Sequence, residues 1–254
     1  MMGKAEYTGK VAVISRDYHK KNQYGLDDFS PYFRSLNELC DENGADTILY
    51  APYTWDRNSP VPRNHKDIFE GLKKVRTVIL EIGTFYDKAA HTHEIWQRDS
   101  AAPQVVQQHF AKSTSLPAKK QKFISEVGTR IFGDAFLMIC GESNIVGTVR
   151  GDESIRDKFG FNEILKANGI RVVLNPIHDY MRRYEMKLKR RYYSLDGRAT
   201  ISVWNQGKLK NGKRIGESSL PWTYYVDGQD CTSRVQFIKS PFSDRPDIKI
   251  GITG

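Results

Sequence analysis

The chain has 254 residues, 39% of them hydrophobic and 11% aromatic, enough to enclose a sizeable core within one domain, 1–254. It has no apolar run near the roughly 20 residues that span a bilayer, and Met1 to Lys10 lacks the apolar core of a signal peptide, so a cytoplasmic location is expected. Cys40, Cys140 and Cys231 are odd in number and widely spaced, which argues against a disulfide framework or a zinc site, while the net charge of +9 leaves nucleic acid open as a partner.

Val11 to Ser15 is a β-branched run that predicts a first strand. Ser30-Pro31 offers an N-cap and a first-turn proline, and Tyr32, Phe33, Leu36, Leu39 and Cys40 follow at helical spacing up to Gly44. That stripe places Cys40 in the core. Thr47 to Tyr50 predicts a second strand, running into Ala51-Pro52. Asn64 caps a short helix through Ile68, Phe69 and Leu72, and Val75 to Ile82 predicts a central strand. Weaker strands are expected over His93–Gln97 and Gln104–Ala111, then a polar loop from Lys112 to Lys122.

Phe136-Leu137-Met138-Ile139 is the most apolar run in the chain and stops at Cys140-Gly141-Glu142. A helix is expected from Asp152 to Asn168, ended by Gly169, and a buried strand at Val172 to Leu174 leading into Asn175-Pro176. The next helix is expected from about His178 to Leu195, with Met181, Tyr184, Leu188 and Tyr192 as its apolar stripe. Strands at Ala199–Trp204, Trp222–Val226, Arg234–Ile238 and Ile248–Ile250 complete the chain. Alternating strands and helices predict an α/β fold.

Cys140 stands where an apolar strand meets a glycine, a place that can present a side chain at the strand end. Gly141 permits a sharp turn and leaves room for a substrate. A thiol there is useful once a neighbour removes its proton; otherwise Cys140 simply continues the buried strand.

The segment Leu137 to Glu142 resembles the strand and nucleophile turn of the nitrilase, or carbon–nitrogen hydrolase, superfamily, where Cys-x-Glu or Cys-x-Asp follows an apolar strand. Val172 to Pro176, the basic helix closing at Lys189-Arg190-Arg191, Ile201 to Asn205 and Gly216-Glu217-Ser218-Ser219 are similar to later landmarks in the same order. The resemblance implies a four-layer α-β-β-α sandwich, a homodimer or larger homo-oligomer, and a small amide-like substrate, with no cofactor and no metal. It also implies a Glu base, a Lys that steadies the tetrahedral intermediate, and the Cys nucleophile.

Lys112 takes the lysine's place after a strand, or is one more solvated lysine beside Lys119, Lys120 and Lys122. The glutamate does not match: Pro52 is followed by Tyr53, whose phenol is a poor base at neutral pH. Glu81 is either a displaced acid or base or a paired structural carboxylate; Glu142 is the other catalytic carboxylate candidate for the missing base, and also shapes the pocket; Glu126 orients the lysine or lies on the surface. Tyr53, Gly141, Asn175 and His178 are expected to line the substrate site, with His178 either pairing with Cys140 or capping a helix. His91 and His93 share a strand face without a recognisable third ligand.

Two functions compete. One is a thiol hydrolase of amide or other non-peptide C–N bonds through a Cys140 acyl-enzyme. The other is a scaffold that has lost its base and uses the Arg182–Arg191 basic face to bind nucleic acid, a nucleotide or a partner protein.

Overall fold

Val11–Ser15 is a strand with all five residues buried. It belongs to one of two compact units in a computed structural model that describes residues 7–84, 87–112, 114–149, 151–178, 184–210, 213–214 and 219–254. Met181, Arg182 and Arg183 of the expected basic helix, and Gly216, Glu217 and Ser218, lie outside the described residues.

One unit comprises Gly9–Gln107, Val203–Trp222 and Arg234–Gly254. From edge to edge its sheet runs Gln236–Lys239, Lys249–Ile252, Val11–Ser15, Thr47–Tyr50, Thr77–Thr84, Asp87–Gln97 and Gln104–Val106, with Trp55–Asp56 paired to Thr77–Thr84. Val11–Ser15, Thr47–Tyr50 and Thr77–Thr84 are parallel neighbours. Their dense Val, Ile and Leu content is what a parallel strand buried on both faces requires. The helix Phe33–Glu42 lays Phe33, Leu36 and Cys40 into a core with Ile14, Ile48, Val78 and Ile250. Burial drives the Cys40 thiol pKa far above its ordinary value, which fits a packing role. Asn64 caps His65–Phe69 by accepting the Asp67 N–H at 3.0 Å, as expected.

Three expectations change here. Ser30 is not the cap: Asp28 accepts both its N–H and its hydroxyl, and a 3-10 turn over Ser30–Tyr32 precedes the helix. The strand expected from His93 begins at Asp87, because it forms a long hairpin with Thr77–Thr84, and the strand expected to reach Ala111 ends at Val106.

The other unit is built on Gln108–Ser202 and Thr223–Ser233. Its sheet order is Gln229–Asp230, Trp222–Val226, Ala199–Trp204, Val172–Ile177, Ala135–Leu137, Ile131–Phe132. Phe136, Leu137, Met138 and Ile139 are all fully buried. The regular strand stops at Leu137, yet Met138 N–H still donates to Leu174 O at 2.9 Å.

Lys112 to Lys122 is not all loop. Pro117 opens a helix over Pro117–Ser125, and Phe123 from that helix packs among Phe110, Phe136 and Phe161. The run of lysines disguised one apolar anchor, whose truncation to Ala typically costs about 3–5 kcal/mol. The helix expected over Asp152–Asn168 is reduced to Phe161–Ala167, since Ile155–Arg156 pairs with Gly147–Thr148 and Gly160 turns left-handed at φ +63°. The following helix is described over Tyr184–Tyr193. Tyr184 was expected on its apolar stripe but is 56% exposed, with its hydroxyl on Glu153; Leu188 is buried as expected, and Met186 is buried with it.

Candidate active site

Where the buried run ends, Cys140 takes a left-handed backbone at φ +40° and opens a 3-10 turn, Cys140–Ile145. A non-glycine residue there is strained and persists only where its surroundings fix it. Several groups do so. Glu142 is fully buried and bends back so that Oε2 accepts the Ile139 N–H at 2.9 Å. Asn175 Nδ2 donates to Met138 O at 2.6 Å and reaches Cys140 O at 3.5 Å. Asn175 Oδ1 accepts from the Ser202 hydroxyl at 3.4 Å, whose oxygen in turn accepts from Arg190 Nε at 3.2 Å. Cys140 itself is 9% exposed, the most accessible of three buried thiols.

Gly141 has a different reason from the one expected. A Cβ there would stand 2.1 Å from Ala111 O, so the missing side chain makes room for the main chain of 111 rather than for a substrate. Ala111 O also accepts from Asn144 Nδ2 at 2.9 Å. Lys112 therefore follows directly on a residue locked to the Cys140 turn; its side chain is exposed and its N–H donates to Ser115 Oγ at 3.2 Å.

The Glu142 carboxylate is saturated. Beyond Ile139 it accepts the His109 N–H at 2.7 Å and two bonds from Arg130, at 2.7 and 2.9 Å. Burial pushes its pKa up to about 7, against the pull of Arg130 and the two amides. Burial likewise lowers Arg130, with Glu142 opposing that shift. The His109 imidazole bonds Glu126 at 2.9 Å, and burial, with Arg130 adding to it, lowers its pKa. Glu126 thus faces a histidine. His178 is half-buried just past Val172–Ile177.

Sequence reasoning missed Arg130, His109, Asn144 and Lys189. Lys189 and Arg190 were read as part of a basic face, yet they are 3% and 1% exposed. Lys189 Nζ bonds Asn144 Oδ1 at 2.5 Å, and burial lowers its pKa to about 8, with Glu185 opposing and Lys120 adding to the shift. Lys187 and Arg191 remain exposed on this helix. The only available signal was spacing: Met186, Lys189, Arg190 and Tyr193 lie three or four apart, on one helix face.

In the other unit, Tyr53 follows Pro52 at φ +62°. Its N–H donates to Glu81 Oε2 at 2.7 Å, its carbonyl accepts from Arg16 at 3.3 Å, and Pro52 O accepts from Asn205 Nδ2 at 2.6 Å. The Tyr53 ring meets His91 edge-on at 5.1 Å. Glu81 is 1% exposed; His91 Nδ1 lies 3.3 Å from its Oε2 and His93 Nε2 3.8 Å from its Oε1. Gly83 holds the space that the His91 ring fills, since a Cβ there would be 2.3 Å from that ring. The carboxylate missing after Pro52 is supplied to that backbone position by Glu81.

No family model and no curated protein matches the sequence. The structure is similar to an amidase from Nesterenkonia sp., with 11% identity, 99% of this chain and 92% of that chain covered, and a TM-score of 0.51. It is also similar to Saccharomyces cerevisiae Nit3, a member of branch 10 of the nitrilase superfamily, at 10% identity, 96% and 90% coverage and a TM-score of 0.50. A glutamine-dependent NAD+ synthetase from Acinetobacter baumannii matches at 12% identity and a TM-score of 0.50, over 96% of this chain and 45% of that one. Among the described residues no helix is long and apolar enough to cross a membrane. The chain is a mixed α/β protein with the nitrilase fold.

Proposed function

We propose that this protein is a thiol hydrolase of amide or other non-peptide C–N bonds, acting through an acyl-enzyme on Cys140. The observation that carries the reading is the left-handed Cys140 at the end of a buried strand, the strained turn that presents a nucleophile. The fold shared with an amidase supports it. The Cys140 sulfur attacks the carbonyl carbon, forming a C–S bond. The C–N bond then breaks and the thiol's proton leaves with the amine. Water hydrolyses the thioester to the acid and restores the thiol. A carboxylate base, for which Glu81 is the candidate tested below, takes the proton and returns it, and Lys112 is the cation for the developing oxyanion. The chain works as one domain, 1–254, and as a homo-oligomer.

The test is acylation by p-nitrophenyl acetate together with ammonia release from a panel of small amides. The wild-type protein is expected to show a nitrophenol burst and an acetyl adduct on Cys140 by mass spectrometry. Both vanish in Cys140→Ala, and Lys112→Ala slows turnover by about 10²–10³. A wild-type protein with no adduct and no amide turnover sinks the proposal. The scaffold alternative is weakened by the burial of Lys189 and Arg190.

A further inference from the structure

We infer that the buried Arg130–Glu142 pair is the positioning device of the Cys140 turn, and that Glu142 is neither acid nor base in the reaction. The inference rests on the reading of Cys140 as nucleophile.

The two Glu142 oxygens accept four bonds: Oε1 from His109 N–H and Arg130, Oε2 from Ile139 N–H and Arg130. A carboxylate offers about four lone-pair sites, so all of them are used and none remains for a substrate proton. The two amides are informative. Ile139 is the residue before Cys140. His109 lies two residues before Ala111, whose carbonyl covers Gly141. One carboxylate therefore ties the strand that enters the turn to the segment that packs on its far side. Cys140 sits between these ties at φ +40°, a conformation it would leave without them.

The pair is not there for stability alone. Replacing a buried ion pair by apolar groups of similar volume is often neutral or stabilising, so what it adds here is geometry. Arg130 lies over the Phe123 ring at 5.0 Å and fixes the carboxylate's orientation through its two parallel bonds. The other charged groups around it, the His109–Glu126 pair and Lys122, engage one another.

The experiment compares the full-length wild-type protein with the double variant Arg130→Met, Glu142→Leu, which removes both charges and so leaves the net charge near the thiol unchanged. Two rates are measured at Cys140 by mass spectrometry: alkylation by iodoacetamide, which needs only an accessible thiolate, and acylation by p-nitrophenyl acetate, which also needs the sulfur aligned with its proton acceptor. Cys40 and Cys231 serve as internal references, and thermal midpoints are recorded. The double variant is expected to stay folded but to melt below wild type, because the His109 and Ile139 N–H groups lose their acceptor, while its acylation-to-alkylation ratio falls at least tenfold, and Glu142→Gln to fall less. An unchanged ratio in a folded variant overturns the inference. Should the double variant not fold, Glu142→Gln decides, since it preserves shape: a ratio equal to wild type overturns the inference, and a reduced one supports it. If Cys140 of the wild type is no more reactive than Cys231, the nucleophile reading itself falls, and this inference with it.

Discussion

The Glu81 carboxylate accepts the Tyr53 amide N–H at 2.7 Å, although the two residues are 28 apart in sequence. The left-handed turn of Tyr53 aims that amide at the strand Thr77–Thr84, so a carboxylate stands beside Pro52 without being encoded there. Replacing Glu81 separates its chemistry from its packing. In Glu81→Gln the amide oxygen still accepts the Tyr53 N–H but takes up no proton at neutral pH. Turnover of a small amide is expected to fall by about 10²–10⁴ with little change in melting temperature. Unchanged kcat would remove Glu81 from the reaction.

Gly141→Ala tests the contact between the Cys140 turn and Ala111. The added methyl would lie 2.1 Å from a backbone carbonyl, which cannot swing aside as a flexible side chain would. Overpacking of this kind costs typically about 1–3 kcal/mol, with a backbone-on-backbone clash at the upper end, so the midpoint should drop by roughly 6–12 °C. Calorimetry decides it; an unaltered midpoint would mean the two segments are not in contact.

Lys189 makes a pH-dependent prediction. Burial lowers its pKa to about 8, below the ordinary lysine value. Between these values the unfolded chain binds more protons than the folded one, so stability rises with pH through that window. Below about pH 8 both states are protonated and the penalty is constant. Relative to Lys189→Met, the wild-type protein should gain stability from pH 8 to pH 10, with a slope no steeper than about 1.4 kcal/mol per pH unit. Denaturant titrations at four pH values measure this. Parallel curves for the two proteins would show that Lys189 is not desolvated.

The strands were legible because their burial is written in consecutive residues: Val11–Ser15, Val172–Ile177 and Ala199–Trp204 are continuous apolar or β-branched stretches interrupted by few polar groups. Helices were less legible wherever a single residue decided them. Phe123 anchors Pro117–Ser125 among lysines, and Gly160 sets the start of Phe161–Ala167. At the site, Cys140 was visible from its local pattern, a strand running into glycine. The Arg130–Glu142 pairing was not, because it joins positions 12 apart across a turn and leaves no periodicity. The same holds for Glu81 and Tyr53, whose link depends on the neighbouring register of two strand ends rather than on any local motif.

The contact of Ala111 O with Gly141 joins main chain to main chain. Its two faces are backbone, with Asn144 Nδ2 bonded to the same carbonyl, so it acts as a ruler whose length does not depend on the side chains of 112 and 140. Lys112 and Cys140 can each be exchanged, by drift or by design, without resetting the spacing between their backbones. Position 141 is where any added side chain would break the contact. A lineage could thus lose, swap or regain reactive groups here many times while the frame that spaces them is inherited intact.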